Sequence, residues 1–272
     1  MPELRGRGKA AGFLEEKLSR ARNVWAVRIT TFAILLTVWE IYGQGISRAL
    51  FAPPSEIARA YVVQVSEGTL LDAVALSMGS LLVGLMAGAI VGIFLGVLMG
   101  RSRTLEHLLD PYVSFLYATP TIALIPVLII WFGIGTLLRM FLVFLSAVFL
   151  VIINTMVGVK QVDPELIDIG RSNCATEYQI LRTIVLPGAL PFIFGGLRLA
   201  LAQSLVGVIV AEMTTTVTGL GALVITFSNF FQTANMMVPI LTIMMISILL
   251  TEVMRRLQRR LTPWERSWAE RP

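Results

Sequence analysis

The side chains able to do chemistry are few and scattered. The chain has one histidine, His107, and one cysteine, Cys174. A lone imidazole and a lone thiol cannot supply the clustered ligands of a zinc or redox centre, and no intrachain disulfide can form. No glycine-rich loop ending in Lys-Ser or Lys-Thr is present to cradle a nucleotide phosphate. No Gly-x-Ser-x-Gly elbow with His and Asp partners supplies an acyl-transfer nucleophile. These residue types do not assemble an enzyme, and no metal or cofactor is expected on this chain. What remains is polarity in apolar surroundings. Arg198 and Glu212 lie in or beside one apolar run, where a mid-bilayer charge costs about 2.5–3.5 kcal/mol and normally faces protein or water. Their separation corresponds to about 21 Å of helix rise, so they cannot pair within one helix. Arg198 reads as a structural or snorkelling cation. Glu212, before Thr214-Thr215-Thr216 and Gly219-Leu220-Gly221, reads equally as a buried hydrogen-bonding group or as the lining of a gate. Thr119, Thr121, Asn154, Gln203, Ser204 and Glu212 are the candidate lining of a polar path.

The elements that must position these groups are apolar helices. The 272 residues are 56% hydrophobic and 14% charged, against about 45–50% and about 25% for soluble domains. Mean hydropathy is +0.79, and the excess lies in long runs, which points to a membrane protein. About 20 apolar residues cross a bilayer as a helix. Six runs qualify: Val24–Tyr42, Val74–Gly100, Tyr112–Trp131, Met140–Val159, Ala189–Ala211 and Met237–Thr251. The expected fold is an all-α membrane protein of six transmembrane helices. Its parts are an amphipathic tail over 1–23, a first span over 24–45, a core over 70–255 and a basic tail over 256–272.

Charge sets the orientation. Lys and Arg crowd the N-terminal tail, Arg101 and Arg103, the segment of Lys160, Arg171 and Arg182, and the C-terminal tail. The other side has only Arg48, Arg59 and Arg139. The rich side is therefore cytoplasmic, with both termini on it. This distribution explains the net charge of +5 by membrane orientation rather than by nucleic acid. The basic N-terminal segment is too long, and the apolar run after it too extended, for a signal peptide. Phe13, Leu14, Leu18, Ala21 and Trp25 recur there at helical spacing, as on a helix lying at the membrane surface. FAPPSE, residues 51–56, reads as an external turn.

Two spans carry backbone signals. Gly84, Gly88, Gly92, Gly96 and Gly100 form a stripe at four-residue steps, which allows close helix packing in lipid. That packing lies within one subunit, or at a dimer or moving interface. Pro120 and Pro126 should bend or break the third span, as a packing kink or as a bend lining a path.

A charged island, ELIDIGRSNCATEYQILRTIVLPGALP over 165–191, separates spans four and five. Asp163-Pro164-Glu165 supplies an N-cap, a proline at the first helical position and a first-turn acid. Leu166, Ile169 and Gly170 should share one face. Thr176-Glu177-Tyr178-Gln179 is a capping box, so a second helix follows, with Ile180, Leu181 and Ile184 inward. Pro187 and Pro191 should stop it and admit span five.

These residues resemble a known family. Asp168-Ile169-Gly170, three residues, Cys174, and then Ile184-Val185-Leu186-Pro187 look like the EAA loop of ABC importer permeases. Gly196-Leu197-Arg198, Ala211-Glu212, Gly219-Leu220-Gly221 and Trp131-Phe132-Gly133-Ile134-Gly135 extend the likeness over about residues 50–255. It is nearest the aliphatic sulfonate, taurine and nitrate branch. The resemblance implies a type I ABC importer permease fold with a cytoplasmic helix-turn-helix coupling loop. It implies alternating access driven by a pair of ATPase subunits that carry ATP and Mg, an external binding protein, and a second copy of the permease in a bacterial inner membrane. By position, Asp168, Gly170 and Cys174 fill the motif sites. Glu165, Leu166, Ile169 and Arg171 stand beside them, and Leu186 and Pro187 close the pattern. Cys174 replaces the motif glycine, and Asn173 can take the left-handed conformation in its place. Two other classes stay open. A secondary transporter needs coupling carboxylates and related halves, whereas spans two to four hold no deep acid and no repeat is evident. A structural or insertion subunit of a membrane complex is the other.

Overall fold

The computed structural model describes residues 27–215 and 218–263. The expected amphipathic tail over 1–23 and most of the basic tail over 256–272 lie outside the described residues. The described chain is helical, with no strand among these residues. Helix α1 covers residues 27–44 and α2 runs Pro54–Ser66. Helix α3 runs Thr69–Arg101 and α4 Arg103–Ala118. A 3-10 turn, Thr121–Leu124, leads to α5, Ile125–Phe132, and then to α6, Thr136–Lys160. The island holds α7, Pro164–Ser172, and α8, Glu177–Ile180. A π-helical turn, Leu181–Val185, joins α8 to α9, Leu186–Thr215. Helices α10, Leu220–Asn229, and α11, Thr233–Leu261, complete the described chain.

Among the described residues, four helical stretches are long and apolar enough to cross a membrane: α3, α6, α8 through α9, and α11. A fifth forms if α4 and Thr121–Phe132, bent by 85°, count as one span. The expectation was six. The shortfall is α1, which carries Arg28 and Glu40 within its described length and whose first expected residues are not described.

The core is built where α3, α6 and α9 meet, around Leu81, Leu85, Val143, Ala147, Val151, Ala200, Leu201 and Leu205. The glycine stripe makes this possible. A methyl group at Gly84, Gly88, Gly92, Gly96 or Gly100 would run into α6, at Val143, Ala147, Val151, Thr155 and Val159 in turn. The stripe is thus spent on packing inside this chain. Four-residue steps on both helices keep the backbones touching along their length.

The stretch expected as the third span breaks as the prolines require, but at only one of them. Pro120 disfavours the helical region for the residue before it, and Thr119 is extended at φ −73°, ψ 125°. Pro126 instead opens α5, where its missing N–H costs nothing. Pro187 and Pro191 do not stop α8 either. The chain stays helical from Glu177 to Thr215. The wider π turn just before Pro187, in which Leu186 N–H donates to the Leu181 carbonyl, takes up the clash a proline ring normally makes with the preceding turn.

Helices α2 and α10 were not foreseen. Both are short, and both rest on a second cluster of Ala52, Ile57, Leu70, Ala73, Leu220 and Val238 that also packs α1 and α11. The stretch read as an external turn supplies the start of α2, with Pro54 in its first turn. Trp39 Nε1 donates to the Ala52 carbonyl at 3.1 Å and pins α1 to that start.

Candidate functional site

The island forms its two helices from the caps that its sequence carries. Asp163 Oδ1 accepts from the Glu165 amide at 2.9 Å and opens α7. Thr176 and Gln179 form the reciprocal capping box of α8. The turn between them is a correction. Cys174, not Asn173, takes the left-handed conformation, at φ 57°. Asn173 is held at φ −88° and donates its side-chain amide to the Ile169 carbonyl. Cys174 N–H then donates to the Arg171 carbonyl and Ala175 N–H to the Gly170 carbonyl. This pair of bonds is the Schellman arrangement, which places the left-handed residue at position 174 whatever its type. Cys174→Gly is expected to stabilise the loop by about 0.5–1 kcal/mol, the relieved left-handed strain less the entropy of glycine. Thermal melting of the two proteins checks it, and an unshifted or lowered midpoint would contradict it.

The face read as Leu166, Ile169 and Gly170 is split. Gly170 is buried against Ile180 and Ile184, while Leu166 and Ile169 are 49% and 57% exposed. Ile167, not Leu166, packs inward with Ala175 and Leu181. Glu165, Asp168, Arg171 and Cys174 are also exposed, and Leu186 and Pro187 are half-buried at the start of α9. The result is an outward surface with two aliphatic side chains ringed by charge. Ion pairs tie its base to the bundle. Glu177 meets both Arg101, at the end of α3, and Arg171; Lys160, at the end of α6, meets Glu106 in α4.

At the opposite end of the bundle, Glu212 is wholly buried. Ser77 Oγ of α3 donates to its carboxylate at 2.7 Å and itself accepts from Leu220 N–H at 3.0 Å. Gly221 N–H donates to Glu212 Oε2 at 2.9 Å. The carboxylate therefore sits on the N-terminus of α10, where the helix dipole favours it. Arg139 of α6, expected in an external loop, is buried beside it at 3.8 Å. Its guanidinium also donates to the Thr218 carbonyl and to the hydroxyls of Thr218 and Thr136. Gly219, at φ 104°, lies against the carboxylate, where a Cβ would overlap it. The arrangement clamps α3, α6, α9 and α10 together, and it exposes no face of Glu212 to a passing solute. Arg198 pairs with Gln258 of α11.

Between these ends the break at Thr119-Pro120 opens a cleft. A volume of about 430 Å³ is lined by Leu116–Thr121 of the broken span, by Leu145, Ser146, Phe149 and Leu150 of α6, and by Leu199, Ala202 and Gln203 of α9. A second, of about 210 Å³, lies toward α10 and is lined by Ile122, Ile125, Leu142, Val206, Gly207 and Val210. Both share Pro120, Thr121, Ser146 and Gln203. Of the candidate path residues, the cleft thus gathers Thr119, Thr121 and Gln203. Asn154 lies apart, donating to the Leu150 carbonyl and packed on Gly196. Ser204 is buried against the Val143 carbonyl of α6. Ser146, Ser77 and Arg139 were missed. Each is a polar residue in or at the margin of an apolar run, the same signal that marked Asn154.

The family described as binding-protein-dependent transport system inner membrane component matches residues 88–267. The taurine transport system permease protein TauC of Escherichia coli is 33% identical over 92% of this chain and 97% of its own. A Bacillus subtilis permease protein assigned to aliphatic sulfonates transport, SsuC, is 30% identical over 94% of this chain and 93% of its own. The riboflavin transport system permease protein RibX of Chloroflexus aurantiacus is 30% identical over 87% and 89%. The fold is shared with a chain of the MetNI methionine ABC transporter, at a TM-score of 0.64 and 19% identity, over 73% of this chain and 99% of that one. The chain belongs to the family of binding-protein-dependent transport system inner membrane components and is a membrane permease.

Proposed function

We propose that this permease is the membrane subunit of an ATP-driven importer that carries a small organic sulfonate or a related anion by alternating access. The relatives named for taurine and aliphatic sulfonates support the substrate class. In this reading α1 and the bent pair complete six spans in a bacterial cytoplasmic membrane. Arg101, Arg103, Lys160, Arg171, Arg182 and the arginines at the end of α11 gather at the α7 end of the bundle, which is then cytoplasmic, with both termini. Two copies pair, an external binding protein delivers the solute, and two ATPase subunits hold ATP and Mg.

The observation that carries the proposal is the outward surface of α7. Exposed Leu166 and Ile169, flanked by Glu165, Asp168 and Arg171, suit insertion into a cleft of another protein. The ion pairs of Glu177, to Arg171 of α7 and to Arg101 at the end of α3, then link the motion of α7 to α3. Asp168→Arg reverses one charge on that surface without touching a packed residue. It is expected to weaken ATPase association about tenfold or more, a change of about 1.4 kcal/mol, while insertion is unchanged. Copurification of the complex measures this. Wild-type recovery of the ATPase with Asp168→Arg would count against α7 as the docking element.

A further inference from the structure

The two clefts share a wall at mid-depth. The larger cleft extends along α6 toward Lys160 and along α9 toward Leu186, which is the α7 side. The smaller extends toward Leu142 and Val210, which is the α10 side. Pro120, Thr121, Ser146 and Gln203 lie between them. Gln203 falls about 5 Å of helix rise from the middle of the apolar run Ala189–Ala211. The side chains of Thr121 and Gln203 have no hydrogen-bond partner among the described residues, and Gln203 is exposed to the cleft. Ser146, facing Gly207, completes the polar band. No Lys, Arg, Asp or Glu lines either cleft. The walls above and below carry Leu116, Leu145, Phe149, Leu150 and Val206, together with Tyr117 and Thr119.

We infer that this band is a recognition waist for the sulfonate group of an aliphatic sulfonate, with Gln203 and Thr121 as its hydrogen-bond donors; this rests on the transport reading above. A polar amide kept unpaired at mid-membrane is costly unless something else satisfies it. Its N–H groups and the Thr121 hydroxyl can donate to sulfonate oxygens, and hydrogen bonds to an ionised acceptor are roughly twice as strong as neutral ones. A guanidinium or ammonium at this depth would hold the anion too firmly to release it; passage needs binding weak enough to leave. The aliphatic and aromatic side chains of these walls suit the alkyl body of the solute, and the larger cleft has the size of ordinary small-molecule sites, about 300–1,000 Å³. An inorganic anion would leave those walls wet. Discrimination for alkyl sulfonates over inorganic anions therefore lies partly in the membrane subunit.

The test uses the complex of permease, ATPase and binding protein in liposomes, with labelled taurine and ethanesulfonate as probes. Gln203→Leu and Thr121→Val each remove a donor at nearly constant shape. Each is expected to lower sulfonate uptake about tenfold or more, with insertion and assembly of the complex unchanged. Gln203→Glu keeps volume and polarity but places a carboxylate in the waist, and is expected to abolish uptake. A merely structural glutamine would show its loss as a lowered melting midpoint, so thermal unfolding of the variants is measured beside uptake, and recognition is read from uptake lost at an unchanged midpoint. Wild-type uptake rates in Gln203→Glu would overturn the waist while leaving the transport reading intact. Failure of the wild-type complex to import either sulfonate would overturn the substrate reading and the waist with it.

Discussion

Glu212→Ala is expected to destabilise the permease by about 3–5 kcal/mol, the usual consequence of removing one partner from a buried ion pair. The loss has three parts. Arg139, 4% exposed, keeps its bonds to Thr136 and Thr218 but loses the nearby negative charge. Gly221 N–H, buried at the first turn of α10, is left without an acceptor. Ser77 Oγ loses the carboxylate it donates to. Glu212→Gln keeps the shape and an acceptor oxygen, so its cost should be smaller and its melting midpoint intermediate. Arg139→Met combined with Glu212→Leu removes both charges and should be milder than Glu212→Ala alone. Thermal unfolding in detergent ranks the four proteins. A melting midpoint for Glu212→Ala equal to that of wild type would show that the clamp contributes nothing.

The second large effect lies in the glycine stripe. A Cβ at Gly96 would stand 2.6 Å from Thr155 Cβ and 2.7 Å from the Ile152 carbonyl oxygen. Backbone cannot yield as a flexible side chain does, so Gly96→Val must part α3 from α6. The expected cost is about 3 kcal/mol, the upper end for overpacking a well-filled core. Gly79, on the same helix, has nothing within 4 Å of where its Cβ would be. Gly79→Ala should gain about 1 kcal/mol from helix propensity alone. Melting midpoints that move in opposite directions support the account. Equal shifts would mean that the stripe does not set the α3–α6 approach.

What was legible in the sequence was local or periodic. Asp163-Pro164 and Thr176 through Gln179 announce their helices because a cap bonds its own neighbours within a turn. The long apolar runs announce the spans because a bilayer demands length. Pro120 announces a break because the constraint falls on the residue just before it. What was not legible depends on residues far apart in the chain. Nothing near Arg139 says that it will meet Glu212, and nothing near Glu212 names Ser77. Helix α10 exists because that carboxylate caps it and because Leu220 has a cluster to fill; ten residues alone show neither. The two misjudged turns teach a related lesson. Pro187 does not end α8, because one wide turn absorbs the misfit. Cys174 takes the glycine conformation because the carbonyls of Gly170 and Arg171 must be satisfied, and that need outweighs residue preference.

In the proposed function, ATP hydrolysis on a partner chain drives a sulfonate through this permease. Its most direct test is accumulation of labelled taurine in liposomes carrying the permease with its ATPase and a taurine-loaded binding protein on the opposite face. Uptake against a gradient that requires ATP and the binding protein, and stops when the ATPase is left out, is the expected result. Uptake that continues without the ATPase, driven by an ion gradient, would contradict it.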